Sequence, residues 1–131
     1  AIVDRIDIID SKNIKIIDYK TGKKSITEKK MLTNLQMGVY SLATQSIFPE
    51  IERENIILSL LYTRNNKEIS IKASEINYDA LKNKIIQDVT SIESCKEKNN
   101  FNPKESSLCN WCYYWNECTS KSQDNPSLYL E

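Results

Sequence analysis

The stretch from Ile14 to Lys20 reads IKIIDYK and combines the pattern of a buried strand with two opposite charges. Isoleucines dominate its first half and predict a β-strand. Because side chains alternate along a strand, Asp18 and Lys20 point to one face, which the apolar residues 14 and 16 share. A carboxylate among apolar side chains is destabilising unless it has a partner. The stretch therefore predicts either a closed ion pair or a site whose partner comes from solution, such as a metal ion.

The preceding segment places a second carboxylate near the first. Ala1–Ile9, AIVDRIDII, alternates so that Asp4 lies on the face of the apolar residues 2, 6 and 8. The tetrapeptide at residues 10–13, DSKN, predicts a turn and therefore an antiparallel hairpin. A loop of residues 10–12 would set Asp4 opposite Asp18, whereas a loop of residues 11–13 would set Asp4 opposite Lys20. Either register gathers the three side chains into one patch.

Two carboxylates and an ammonium group at this spacing have a chemical use. Carboxylate oxygens are the preferred ligands of Mg²⁺ and Mn²⁺, which also bind phosphate oxygens. Such an ion can polarise a phosphodiester and activate a water molecule, while a lysine stabilises the developing charge. Asp4, Asp18 and Lys20 therefore indicate metal-assisted phosphodiester hydrolysis. The alternative is a structural salt bridge between Lys20 and one of the two aspartates.

The order of these residues resembles the D…(D/E)-x-K signature of the PD-(D/E)XK nucleases. The flanking sequences, I-V-D-R-I-D and I-D-Y-K-T-G-K, are similar to the RecB-like branch, which includes the AddB/RecB nuclease domains and the CRISPR-associated RecB-like exonucleases. This resemblance implies a restriction-endonuclease-like α/β fold. It also implies that Asp4, Asp18 and the backbone carbonyl of Tyr19 bind Mg²⁺ or Mn²⁺. Lys20 would be the catalytic lysine.

From Thr27 the apolar spacing becomes helical and continues to about Ile47, with Pro49 ending the helix. Gln36 and Tyr40 are one turn apart at the edge of the apolar stripe and project together. By themselves they fit a polar flank and a half-buried tyrosine. However, QMGVY is similar to the Q-x-x-x-Y motif of RecB-like nucleases, which implies that both residues line the active site and the DNA path. The predicted stripe consists of Met31, Leu32, Leu35, Val39, Leu42 and Ala43.

The segments beyond this helix predict the remainder of the fold. Ile56–Tyr62, IILSLLY, has the apolar run of a strand covered on both faces, and Lys67–Lys72, KEISIK, alternates like a half-exposed strand. A second helix is predicted from an N-cap at Asn77 to about Lys96. The expected architecture is a mixed sheet of about four strands with a crossover helix, a second helix and a C-terminal cysteine knuckle. The second helix would bury a stripe of Tyr78, Leu81, Ile85, Val89, Ile92 and Cys95.

Three cysteines near the C-terminus, Cys109, Cys112 and Cys118, have the spacing of a metal-binding knuckle. The pattern C-x-W-C-x-Y-x-x-x-C, preceded by F-x-P at residues 101–103, resembles the tail of iron–sulfur members of the RecB-like group. That resemblance implies a [4Fe–4S] cluster whose fourth ligand lies upstream of this sequence, with Cys95 the less favoured candidate. A single Zn²⁺ ion is the alternative. The aromatic residues 111 and 113–115 are expected to pack around the centre, with base stacking as their alternative role.

The composition excludes several classes of function. The 131 residues contain no histidine, which rules out Ser-His-Asp and Cys-His catalysis within them. The net charge is zero, so the overall charge does not indicate a nucleic-acid partner. Seven lysines between residues 12 and 30 nevertheless predict a basic rim beside the site, with a merely solvated surface as the alternative. No apolar run has the length of a membrane span and no secretory signal occurs, which favours a cytoplasmic protein.

These expectations define three parts and one function. Residues 1–100 are predicted as a nuclease core without the helix that precedes the first strand in the family, residues 101–119 as the iron–sulfur knuckle, and residues 120–131 as a tail. We interpret the chain as a domain of a longer protein. The expected activity is exonucleolytic hydrolysis of single-stranded DNA ends in recombinational repair or CRISPR adaptation, with a helicase or CRISPR adaptation proteins as partners and no membrane. The alternatives are a non-catalytic DNA-binding or scaffold domain and a zinc-binding interaction module.

Overall fold

The computed structural model describes residues 2–120, except the side chain of Asn110. Apart from Ser120, the predicted tail therefore lies outside the described residues. Contacts divide the chain between Gln87 and Asp88 into two compact units. The domain boundaries expected from the sequence stay a prediction.

The first unit is built on a mixed sheet of four strands in the order β1-β2-β3-β4. The outer pairs, β1 with β2 and β3 with β4, are antiparallel, whereas β2 and β3 are parallel. Parallel neighbours need a long crossover, and the helical segment between them supplies it. The predicted α/β class with a mixed four-stranded sheet is thus confirmed. The strands are β1 (Arg5–Ile8), β2 (Ile14–Lys20), β3 (Ile56–Tyr62) and β4 (Lys67–Lys72).

The crossover contains two helices, α1 (Glu28–Met31) and α2 (Leu35–Ile47), and the prediction of one continuous helix is wrong. The break follows from side-chain capping at Asn34, whose Oδ1 accepts the backbone N–H of Met37 at 3.1 Å. The third helix, α3 (Tyr78–Glu97), begins after the predicted N-cap Asn77.

The buried face of α2 differs from the predicted stripe. Leu42 of the predicted stripe packs against the core, whereas Leu35 is 43% exposed and the buried residues of the helix lie at other positions. Gly38 explains the difference, because a Cβ atom there would lie 2.6 Å from Leu81 Cδ1. The absence of a side chain at Gly38 leaves room for the Leu81 side chain of α3 against this face of α2. The buried residues of α2 are Met37, Gly38, Tyr40, Ser41 and Thr44.

The later part of α3, which belongs to the second unit, does not bury the predicted stripe. Val89 and Ile92 are 47% and 56% exposed, and Cys95 is half-buried. Helical spacing predicts which face of a helix is apolar but not whether another element covers that face. The prediction that this face is buried is therefore wrong at these positions. In the described part of the chain, no helix is both long enough and apolar enough to cross a bilayer.

Candidate active site on strand β2

The hairpin of β1 and β2 has the register in which Arg5 lies opposite Ile17. This is the register of a loop of residues 10–12, and it sets position 4 opposite position 18. Asp10 stabilises the loop, because its Oδ1 accepts the backbone N–H groups of Lys12 and Asn13 at 2.8 and 2.9 Å. These hydrogen bonds, that of Lys12 first, lower the pKa of the Asp10 carboxyl below its ordinary value.

Asp4 is exposed and lies directly before β1, yet its side chain is bound to β2. Its Oδ2 accepts the backbone N–H of Tyr19 at 2.9 Å. The Tyr19 N–H therefore donates to a side chain, and not to a backbone carbonyl of the segment before Arg5 as it would if β1 were longer. Accordingly, β1 begins at Arg5 and not at the start of the predicted segment. Tyr19 stands between Asp18 and Lys20 in β2. Asp4 is consequently anchored beside both predicted site residues.

Asp18 and Lys20 share the buried face of β2 and form an ion pair, with 2.5 Å between Lys20 Nζ and Asp18 Oδ2. The Asp18 side chain is 4% exposed and that of Lys20 is 34% exposed, so the pair is open to solvent only at its basic end. Within the described residues, Oδ2 has no hydrogen bond of acceptable geometry in spite of this short distance. The distance indicates attraction, whereas the missing hydrogen bond leaves a buried oxygen with unused acceptor capacity.

Gln36 connects this pair to α2. Its Nε2 donates to Asp18 Oδ1 and to the Tyr40 hydroxyl, each at 2.9 Å, and its Oε1 accepts from Lys20 Nζ at 2.9 Å. Tyr40 is 3% exposed, and its hydroxyl lies 2.6 Å from the carbonyl oxygen of Ile2 and 3.4 Å from Asp18 Oδ1. A phenol has one proton, and the shorter distance assigns it to Ile2. Four of the predicted side chains thus form one network.

The segment before β1 is fastened to this network at two points. Tyr40 binds the backbone of Ile2, and the carboxylate of Asp4 binds the backbone of Tyr19. Sequence reasoning missed the contribution of Ile2, because a backbone carbonyl leaves no trace in the type of residue. The structure therefore brings all five predicted side chains to β2 and the first half of α2.

An open groove of about 660 Å³ lies against the network. Gln36 and Tyr40 form the polar part of its wall. The Gln36 side chain contacts both Asp18 and Lys20, so the groove borders the side chain that binds the ion pair. The remaining lining residues are Ile2, Leu35 and Val39.

The donors present suit a divalent ion of the Mg²⁺ type, which prefers oxygen ligands and retains water. Asp18 Oδ2 faces Lys20 without a hydrogen bond, and Asp4 is bound to the backbone of Tyr19, the residue next to Asp18. No group of three or more His, Cys, Asp or Glu able to hold a metal occurs among residues 2–120. Backbone and water oxygens would have to complete the coordination, and the role of the Tyr19 carbonyl stays a prediction.

The three cysteines of the predicted knuckle lie in the second unit and line one small cavity. Cys95 is not among the residues that line this cavity. As placed, the thiols do not form a metal-binding group within the described part of the chain. The lining cysteines are Cys109, Cys112 and Cys118.

The aromatic residues around these cysteines behave differently from one another. Trp115 is 4% exposed and lines the cavity, which agrees with a packing role. Trp111, Tyr113 and Tyr114 are 71%, 91% and 64% exposed, so the prediction that they pack around the centre is wrong for these three residues.

A comparison of the sequence with protein families gives a further line of evidence about this site. A family model described as the PD-(D/E)XK nuclease superfamily matches residues 1–119. The comparisons with curated proteins and with solved structures give no significant match. Members of the matched superfamily are generally nucleases, which typically use divalent metals such as Mg²⁺. The match covers both the β2 site and the cysteine segment, and the chain belongs to the PD-(D/E)XK nuclease superfamily.

Proposed function

We propose that the chain is a Mg²⁺- or Mn²⁺-dependent deoxyribonuclease that acts as an exonuclease on single-stranded DNA ends. The single observation that supports this proposal best is the state of Asp18. Its carboxylate is buried and paired with a partly exposed lysine, yet one oxygen lacks a hydrogen bond. A buried ion pair is weak evidence for stability, because the desolvation of the two charges offsets much of their attraction. Binding of a divalent metal ion to this oxygen would explain why the carboxylate lies in a buried position.

Each residue of the network has a role in this proposal. Asp4, Asp18 and the Tyr19 carbonyl hold the metal, which when bound polarises the phosphodiester and lowers the pKa of the attacking water. The ammonium of Lys20 has three N–H donors, one of which binds Gln36 Oε1, while its charge attracts the carboxylate of Asp18. A remaining donor binds a phosphate oxygen, where the ammonium stabilises the developing negative charge.

Gln36 and Tyr40 act mainly by positioning. The amide of Gln36 holds the carboxylate and the ammonium at the same time, which fixes their mutual orientation. Tyr40 holds the segment that carries Asp4 through the backbone of Ile2. Preorganised groups of this kind do not have to reorganise during the reaction, which lowers the barrier.

The test compares two lysines of the same strand. We expect the wild-type chain to degrade labelled single-stranded DNA with Mn²⁺ but not with EDTA. Lys20→Ala should lower the rate on the order of 10²- to 10³-fold, as is typical for loss of one charge-stabilising donor. Lys15→Ala, which removes a lysine from the opposite face of β2, should retain wild-type activity. Equal activity of the Lys20→Ala variant, or no hydrolysis by the wild type, would overturn the proposal, and the latter would favour a non-catalytic scaffold domain.

We also propose that Cys109, Cys112 and Cys118 are three ligands of a [4Fe–4S] cluster with a structural role. Their spacing and their common cavity support this proposal. Anaerobically purified protein should contain iron and acid-labile sulfide, which Cys112→Ser should lose and Cys95→Ser should keep. Stoichiometric zinc without sulfide would contradict the cluster and favour a zinc site.

The biological setting is proposed from the RecB-like motifs. It is recombinational DNA repair or CRISPR adaptation, with a helicase subunit or domain or CRISPR adaptation proteins as partners. Degradation of ends and not of closed circular DNA is the result expected of an exonuclease. Cleavage of circular single-stranded DNA at a similar rate would contradict the exonuclease mode.

A further inference from the structure

Two basic segments meet at the carboxyl ends of the central strands. β2 ends at Lys20 and the parallel β3 ends at Tyr62, and these two residues are paired. The Thr63 backbone N–H then donates to the Lys20 carbonyl at 3.0 Å. Since the ends of parallel strands meet at one edge of the sheet, the segment 21–27 and the turn 63–66 leave the sheet side by side.

Tyr62 holds these segments together. Its ring is 4% exposed, and its hydroxyl accepts the backbone N–H of Ile26 at 3.1 Å, which pins the end of the segment 21–27. On its other side Tyr62 is paired with Lys67 of β4. Directly paired residues share a face, so Lys20, Tyr62 and Lys67 form a row across three strands on the face of Asp18. The outer two are separated by about 10 Å, which is two strand spacings.

The exposed charges around this row are strongly asymmetric. Six basic side chains come from the segment 21–27, from α1, which packs against β4, and from the β3–β4 turn and the start of β4. The same segments, residues 21–31 and 63–67, contain one acidic residue, Glu28. In the part of the chain that the structure describes, none of the six has an ion-pair partner. The six are Lys23, Lys24, Lys29, Lys30, Arg64 and Lys67.

This surface differs from the basic rim that the sequence predicts at residues 12–30. Lys12 lies in the β1–β2 loop, at the opposite end of β2. Lys15 lies on the opposite face and is paired with Glu68 at 2.7 Å. Lys12 and Lys15 therefore do not belong to the surface beside the site. Arg64 and Lys67 do, although they lie more than 30 residues beyond the lysines of residues 12–30 in the sequence.

We propose that the surface defined by these six residues binds the phosphate backbone of the DNA strand on one side of the scissile bond. This inference rests on the proposed nuclease function of the β2 site. Charges farther apart than about 8 Å are largely screened at physiological ionic strength, so a local cluster attracts a polyanion although the net charge of the chain is zero. The row from Lys20 to Lys67 continues from the proposed reaction centre into this surface. A strand whose phosphate contacts Lys20 therefore has its neighbouring phosphates beside the cluster.

The experiment measures binding without hydrolysis. A fluorescein-labelled single-stranded 20-mer is titrated with the chain in EDTA at several salt concentrations. The variant Arg64→Gln/Lys67→Gln should lower the slope of log K against log[salt] by about 1.4, since single strands contribute about 0.7 per phosphate contact. Affinity at low salt should fall about 10-fold. The control Lys12→Gln/Lys82→Gln removes the same charge from two exposed lysines outside the surface and should keep the wild-type slope.

Equal loss of affinity in the two double variants would show a net-charge effect and overturn the proposal, as would unchanged binding in both. Absence of binding by the wild-type chain would do the same. The separate Mn²⁺ assay distinguishes this failure from that of the proposed function. A chain that binds DNA through the surface but hydrolyses none contradicts the nuclease proposal and leaves the surface as a DNA-binding site without a scissile bond. Active hydrolysis with unchanged binding in the Arg64→Gln/Lys67→Gln variant contradicts only the surface.

Discussion

Among residues 2–120, strand β2 takes part in two ion pairs, one on each face, and their distances are nearly the same. Lys15 Nζ lies 2.7 Å from Glu68 Oε1, and Lys20 Nζ lies 2.5 Å from Asp18 Oδ2. The acids differ in their surroundings. The Glu68 side chain is 39% exposed, whereas that of Asp18 is 4% exposed. Distance alone therefore does not separate a structural pair from a candidate site.

The pair on the outer face has the properties of a structural contact. Ser70 Oγ donates a further hydrogen bond to Glu68 at 3.2 Å, and the Lys15 hydrogen bond is the main cause that lowers the pKa of Glu68. Exposed pairs of this kind contribute about 0.2–1 kcal/mol, because solvent screens the charges. Lys15 of β2 and Glu68 of β4 lie on either side of β3. Between them is the buried Ser59 of β3, whose hydroxyl is hydrogen-bonded to the Ser70 hydroxyl.

The pair on the inner face has a larger desolvation penalty and a less complete set of hydrogen bonds. Lys20 and Gln36 surround Asp18, yet Oδ2 lacks a hydrogen bond within the described residues. The comparison shows that burial and remaining acceptor capacity, rather than ion pairing itself, distinguish the inner face as the candidate site. Substitutions of matched chemistry on the two faces test this conclusion.

The largest effect is expected for Asp18→Asn. The amide keeps the shape of the side chain but loses the charge that attracts a divalent ion, so DNA hydrolysis with Mn²⁺ should fall on the order of 10³-fold. Glu68→Gln makes the same chemical change on the outer face and should retain wild-type turnover. Similar rates for the two variants, measured as initial rates at saturating DNA, would contradict the difference between the faces.

The next effect is stabilisation by metal, which does not depend on activity. Mn²⁺ at about 100 times its dissociation constant should raise the free energy of unfolding of the wild type by about 2.7 kcal/mol. Asp18→Asn should show little stabilisation, whereas Glu68→Gln should respond like the wild type. Thermal unfolding with and without Mn²⁺ measures this difference. Equal stabilisation of the Asp18→Asn variant would place the ion elsewhere.

Tyr40→Phe removes a hydroxyl from the network on the inner face of β2, and Tyr19→Phe removes one from the outer face. Tyr40 is buried, and its loss leaves the carbonyl of Ile2 and the amide of Gln36 with one partner fewer. We expect destabilisation of about 1–2 kcal/mol, together with slower hydrolysis because the Asp4 segment is less firmly held. The Tyr19 hydroxyl, on the other face, has a 3.4 Å contact with Arg5, and Tyr19 is 39% exposed. Urea unfolding should show almost no change for Tyr19→Phe, and equal losses in both variants would refute the positioning role of Tyr40.

Much of the fold was predictable because its strands have unambiguous patterns. The apolar run of β3 and the alternation of β4 give their bounds, and the four-residue turn between them sets Tyr62 opposite Lys67. The break between α1 and α2 was not predictable, because Asn34 suits a polar helix face as well as an N-cap. The buried face of α2 depends on the contact of Gly38 with Leu81, which is far away in the sequence.

The candidate site, like the fold, was predictable only in part. The period of a strand predicts that Asp18 and Lys20 share a face, and helical spacing predicts that Gln36 and Tyr40 project together. Their chemical roles stay predictions. The contact of Tyr40 with a backbone carbonyl could not be foreseen, since it depends on how α2 crosses the segment before β1.

The smallest effect is expected for the stability of Glu68→Gln, below about 1 kcal/mol at neutral pH. In the folded chain the pKa of Glu68 lies below its ordinary value of 4.5, because Lys15 favours the charged form. Its contribution to stability is therefore fully present above that ordinary value and is lost as the pH falls through the lower pKa of the folded state. Urea unfolding at pH 7 and near pH 3 should show the wild type and Glu68→Gln converging in acid. A difference that grows toward acid would reverse the sign and show that Glu68 is more easily protonated in the folded chain than in the unfolded one.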